Sequence, residues 1–240
     1  MNLTVDITEY QVHAALRSWL LTVLGGASFY GSTALSSLSV VTLTAGAVEV
    51  NQPIVGPGIP AGTYIASLGV NPGDYVLSTN VATVTSQLMT SGVPVIQELD
   101  NRVPMPEGGF VLMNCISKTR LGTGTMIYED DVTETSTKYN QSIDYVIQLD
   151  FYGDNAGDWV AAVSTLWRSP QACEYLRGSG IQPLYHDDAK QISFVDGENQ
   201  YQHRWILDVH LQYTPTVTTS QQFFNQVGTL SLINVDVTYP

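Results

Sequence analysis

The amino-acid sequence predicts an α+β fold: an antiparallel β-sheet flanked by two main helices, with a small all-β domain inserted. Three observations lead there. Two segments carry apolar residues at helical spacing, several others alternate with period two, and the stretch 27–92 changes composition altogether. The implied division is a discontinuous core, residues 1–26 and 93–240, around an inserted unit at 27–92.

The first helix is bounded by chemistry at both ends. Thr8 and Gln11 have the spacing of a capping box, and Gly25-Gly26 supplies a stop. Between them Val12, Leu16, Trp19, Leu20 and Val23 fall on one face, which leaves Glu9, His13 and Arg17 toward water. From 27 to 92 there is no Lys or Arg, and Glu49 and Asp74 are the only acids. Short β-type runs at 40–43, 48–50, 64–67, 75–77 and 81–84 alternate with turns such as Gly56-Pro57-Gly58 and Asn71-Pro72-Gly73-Asp74. A flexible linker would carry fewer β-branched residues, so an all-β module is expected.

Beyond the insert, strands are expected at 93–99 and 110–118, then an exposed acidic hairpin loop at 129–138. In the run 143–152, Ile143, Tyr145, Ile147, Leu149 and Phe151 share a face until Gly153 breaks it. A second helix over 155–169 has Trp159, Val160, Val163, Leu166 and Trp167 on its apolar side; Pro170 then opens a short helix to Arg177, capped by Gly178. Trp205, Leu207, Val209, Leu211 and Tyr213 mark another strand, and 229–239 alternates again as a last strand or extended arm.

Composition narrows the function. The chain has 240 residues, 44% of them apolar, enough to bury a core, yet only 13% are charged against about 25% in a typical domain. A neutral polar surface suits packing against copies or partners. The net charge of −13 argues against wrapping nucleic acid, which needs clustered Lys and Arg. An acidic surface facing DNA would repel it, as suits a channel that DNA slides through, although from charge alone simple solubility is the better explanation. No apolar run reaches the ~20 residues of a membrane span, and the N-terminus lacks the basic start of a signal peptide, so synthesis in a cytoplasm is expected. Cys115 and Cys173 are expected as two buried free thiols.

No catalytic, cofactor or metal site emerges. His186-Asp187-Asp188 lacks a second His or Cys at ligand spacing and is better explained as a polar loop. His203 and His210, seven apart on an extended segment, fall on opposite faces; His210 is expected at an interface or in solvent. Gly122-Thr123-Gly124-Thr125 lacks the Lys of a phosphate loop. Asp144, Asp150, Asp154 and Asp158 flank a strand end and a helix start, where capping and dipole effects account for them.

The stretch 143–177 carries a resemblance. A strongly alternating strand runs into Phe151-Tyr152-Gly153-Asp154-Asn155-Ala156, then a Trp-bearing helix, Pro170, and Gly180-Ile181-Gln182-Pro183. Upstream, Val95-Ile96-Gln97 precedes Pro104, Pro106 and the run 110–114. This is similar to the neck or tail terminator proteins of tailed phages, over about 1–26 and 93–240, with the insert as a departure. The resemblance implies a virion protein made in the host cytoplasm, and a homo-oligomeric ring, a hexamer, at the junction of neck and tail. Such a ring would end tube or sheath growth and join the tail to head-completion proteins, with DNA as passing cargo. The residues expected to serve assembly or line the lumen are Glu129, Asp130, Asp131, Glu134 and Lys138 of the acidic loop, and the segment from Thr229 to Tyr239. Two other readings share the composition: another virion part (tube, baseplate or head-completion subunit), or a glycan-binding module using Tyr64 and Tyr75 of the insert.

Overall fold

The structure, a computed structural model, describes residues 3–60, 62–97, 108–130, 135–195 and 201–221. Strand β1 (Leu3–Val5) leads into α1 (Glu9–Leu24). The Thr8 hydroxyl accepts from the Gln11 amide while the Gln11 side chain accepts from the Thr8 amide, so the expected capping box is present. Gly25, left-handed at φ 71°, ends the helix.

The insert then forms a sheet of its own from β2 (Ala27–Gly46), β3 (Ile54–Val55), β4 (Ile65–Leu68) and β5 (Asp74–Ser91). Of the short runs expected here, 40–43 lies within the long β2, 75–77 and 81–84 merge in the long β5, 64–67 is β4 to within one residue, and residues 48–50 are not strand. The β2–β5 register shifts three times between Gly31 and Ser37, and each bulge breaks the alternation that would have marked one continuous strand. Strand β2 also ends beside its own beginning: Thr44 Oγ1 donates to Ser28 O at 2.6 Å, and Gly46 sits against Gly26. A Cβ on Gly46 would lie 1.8 Å from the Gly26 carbonyl oxygen, at φ 71°. Gly46→Ala should therefore be far more costly than Gly62→Ala, which meets the same left-handed penalty (about 1–2 kcal/mol) but has nothing within 4 Å. Urea midpoints of the two variants check this, and equal losses would contradict it.

After the insert come β6 (Val95–Gln97), β7 (Phe110–Arg120), β8 (Thr125–Asp130), β9 (Thr135–Asn140) and β10 (Ile143–Tyr152). Gly153, at φ 105°, breaks the chain before α2 (Ala156–Leu166). Ser169 caps α3 (Pro170–Arg177) through the Ala172 amide. Gly178 follows in right-handed conformation, and the left-handed glycine is Gly180. The last elements are β11 (Ile181–His186), β12 (Lys190–Gln191), the small pair β13 (Phe194–Val195) and β14 (Tyr201–Gln202), β15 (Arg204–Tyr213) and β16 (Thr216–Gln221).

The main sheet runs β11-β15-β10-β7-β6, with β12 beside β15; its pairs are antiparallel except β6 with β7. Register sets Tyr145 against Leu211, Ile147 against Val209 and Leu149 against Leu207, which stacks the expected apolar positions of both strands on one face. All three helices pack over that face, and Val12, Leu16, Trp19 and Leu20 meet Val160, Val163, Trp167 and Leu176 in one core. A second apolar cluster, built around Phe29, Leu38, Ile54, Ile65 and Met89, lies wholly within the insert. The two are joined where Gln52 Nε2 donates to Gly25 O and where Ala45 of β2 packs into the main core. Cys115 and Cys173 are free but half-buried, where buried thiols were expected.

Candidate assembly surfaces

Of the polar flank of α1, Glu9 faces water as its spacing suggested, but His13 and Arg17 do not stand free in it. His13 is buried against Tyr145 of β10, and the half-buried Arg17 donates from Nε to Val95 O of β6. Tyr145 Oη donates to Glu9 Oε1 at 2.7 Å, and with that proton committed its oxygen accepts from His13 Nε2 at 2.6 Å. Lys118 Nζ reaches the other Glu9 oxygen at 2.7 Å. One tyrosine thus ties a helix to the centre of the sheet through two polar partners.

The Lys118 ammonium, then the Tyr145 hydroxyl, hold the Glu9 carboxyl below its ordinary value of 4.5. Burial pushes the Tyr145 phenol upward. A carboxylate depressed by folding stabilises fully above its unfolded pKa, and that contribution is lost as pH falls through the folded value. The stability gap between wild type and Glu9→Gln should therefore be widest above about pH 5 and close toward about pH 3. Urea titrations at both pH values test this; a gap independent of pH would refute it.

On the opposite face of the sheet two of the four expected capping acids, Asp144 and Asp150, are engaged in cross-strand pairs. Asp144 meets His210 Nδ1 at 3.0 Å, and His210 stacks on Tyr185 with ring centroids 4.0 Å apart. His210, with its side chain 13% exposed, is therefore largely covered and not a solvent residue; Tyr185 of β11, which pairs antiparallel with β15, lies over it. Asp150, 1% exposed, pairs with Arg204 Nη2 at 2.9 Å, and Gln148 donates to Asp208. Only Asp158 stands in the first turn of α2, and Asn155 is its N-cap, without a side-chain capping bond.

A second sheet, ordered β1-β16-β9-β8, extends the antiparallel stack beyond the core as an arm. Strand β9 continues into β10 and β15 into β16, with their ladders interrupted only at residues 141–142 and 214–215. The expected acidic loop is thus shorter than 129–138: Glu129, Asp130 and Lys138 lie in paired strands, because ladder hydrogen bonds continue to the pair Asp130–Thr135. Glu129 and Lys138 form a diagonal ion pair at 2.6 Å, exposed and of the kind that adds at most about 1 kcal/mol. Asp131 and Glu134 fall outside the described residues, as do Thr229 and Tyr239. Sequence reasoning missed the apolar residues the arm leaves in water: Met126, Ile127, Tyr128 (62% exposed) and Tyr139. Their alternation is too short to separate from a buried strand, and only the topology reveals their exposure.

The remaining candidates gather no chemistry. His186 bonds locally to Asp187 O, and among the described residues no three His, Cys, Asp or Glu side chains could hold a metal ion. Among the described residues, no helix is long and apolar enough to cross a membrane. In the insert Tyr64 is exposed, but Tyr75 packs on the apolar cluster and donates to Val48 O, so they do not form an exposed aromatic pair.

An arm of open strands on a helix-backed sheet offers surfaces for contacts. Residues 76–238 match the family of phage neck terminator proteins. The chain belongs to that family. It is therefore a structural protein of the phage virion, at the neck of the tail, where it meets other neck and tail proteins. Among curated proteins none matches the chain. The terminator match begins inside β5 and takes in the rest of that strand, the main sheet, α2, α3 and the arm strands β8, β9 and β16; α1, which the resemblance had included, lies before it.

Proposed function

We propose that six copies of this terminator close into a ring that ends growth of the tail tube or sheath and joins the tail to the head-completion proteins, with DNA passing through the lumen. The observation that carries this reading is the arm. Its outer strands β8 and β1 have no partner on their outer sides among the described residues, and Met126, Ile127 and Tyr128 stand exposed along one of them. Open apolar edges invite uncontrolled pairing unless a neighbour covers them, and closed cyclic symmetry covers every copy alike. The net charge of −13 favours a lumen that lets DNA slide rather than adhere. In this role the protein has no catalytic function and needs no cofactor. The chain divides into the core of residues 1–26 and 93–240 and an inserted β domain of 27–92, a division supported by the two separate apolar clusters. Light scattering on the purified chain, followed by negative-stain images, tests the ring. A closed annulus with a central hole is expected, and long open tubes would replace this reading with that of a tube subunit.

A further inference from the structure

Strand β8 is one of the two outer strands of the arm, and most of its length carries none of the usual edge protections. Over residues 125–128 it has no Lys, no Pro and no bulge; its acids, Glu129 and Asp130, sit at the far end. The open edge continues onto β7, since β6 covers only Val111 to Met113 and nothing described pairs on that side beyond. Ile116, Leu121, Met126, Ile127 and Tyr128 are all exposed along this edge.

The chain itself holds a segment of matching chemistry. Residues 229–239 place Leu230 and Leu232, then Val235, Val237 and Tyr239, at alternate positions, with Asp236 as their one charge. Extended segments of this kind recognise an open edge by main-chain hydrogen bonds, with alternate side chains setting register. The point of departure also fits. Gln221, the last residue of β16, pairs with Thr135, which pairs with Asp130, so the chain leaves the arm at its tip, two strands from β8. The next seven residues, 222–228, can span up to about 25 Å. Strand β16 runs toward the tip, so pairing with β8 of the same copy would require a reversal across residues 131–134. A second copy, free to turn relative to the first, can offer its β8 without that reversal.

We propose that residues 229–239 of one copy add as a strand to the outer edge of β8 in the next copy around the ring. The inference rests on the ring reading and names the contact that closes it. Each copy gives one strand and receives one, a head-to-tail exchange that covers the β8 edge of every copy alike.

The test uses the full chain in a Cys115→Ser, Cys173→Ser background. One preparation carries Ile127→Cys, another Val235→Cys, and the two are mixed and treated with a bis-maleimide. A covalent dimer in the mixture, absent from either preparation alone, is the expected result. Cross-linking confined to a chain carrying both cysteines would place the segment on its own β8 and overturn the exchange. A chain ending at residue 228 should keep the circular dichroism of the parent but lose the ring mass, falling to monomer. Rings formed by this shortened chain would refute the strand exchange while leaving the ring itself intact. A full chain that forms neither rings nor cross-links would refute both.

Discussion

Replacing Arg204 by alanine should lower the stability of the fold by about 3 kcal/mol, because it takes a cation from a carboxylate that water cannot reach. Asp150 lies at the middle of the main sheet and is 1% exposed, whereas the Arg204 side chain keeps a flank open to solvent. That asymmetry sets the outcome. The pair itself is not a strong source of stability, since removing two charges from water costs about what their attraction returns. Breaking it from the arginine side takes this cation from the desolvated carboxylate, and also removes the guanidinium from over the Tyr152 ring, 5.5 Å away. Asp150→Leu combined with Arg204→Met should recover most of the loss. Urea midpoints of the single and double variants measure it; a double variant as unstable as Arg204→Ala would contradict the account.

Trp167→Ala should cost about 3–5 kcal/mol, the range for emptying a large buried aromatic site. Trp167 and Trp19 are both fully buried and meet edge to face, with centroids 5.4 Å apart, where α1 crosses the end of α2. Their polar ends differ. Trp167 Nε1 donates to Tyr185 O at 3.0 Å and so fastens the helical layer to β11. Trp19 Nε1 is buried with no hydrogen-bond partner among the described residues. Trp167→Phe should therefore lose the hydrogen bond and leave the Tyr185 carbonyl short of a donor, about 1–3 kcal/mol beyond the change in volume. Trp19→Phe should lose volume alone. Chemical denaturation of the two phenylalanine variants gives the comparison, and equal losses would show that the tryptophan polar ends play no part.

These two sites show where the sequence was sufficient and where it was not. The alternation of Tyr145, Ile147, Leu149 and Phe151, and of Leu207, Val209 and Leu211, was legible because one face of each strand is covered by helices. The bounds of α1 were legible because Thr8, Gln11 and Gly25 act within a few residues of themselves. Arg204 and Asp150 are 54 residues apart, and only the β10–β15 register brings them together. His13 was misjudged for a related reason: helical spacing separates polar from apolar residues, but cannot tell that a tyrosine of β10 waits beneath the polar flank. The acidic loop was overextended because Thr- and acid-rich sequence is as common in an exposed hairpin strand as in the turn that joins it. The arm as a sheet was invisible, since β1 pairs with β16 from the opposite end of the chain.

The central claim concerns where this chain stands and how it closes, and cryo-electron microscopy of intact virions at the neck tests it most directly. The account predicts a single six-fold ring of this chain around the DNA path, between the last tail subunits and the head-completion proteins, with the β8 edge of each copy covered by its neighbour. Finding the chain along the tail tube or at the baseplate, or as isolated copies that do not close, would contradict it.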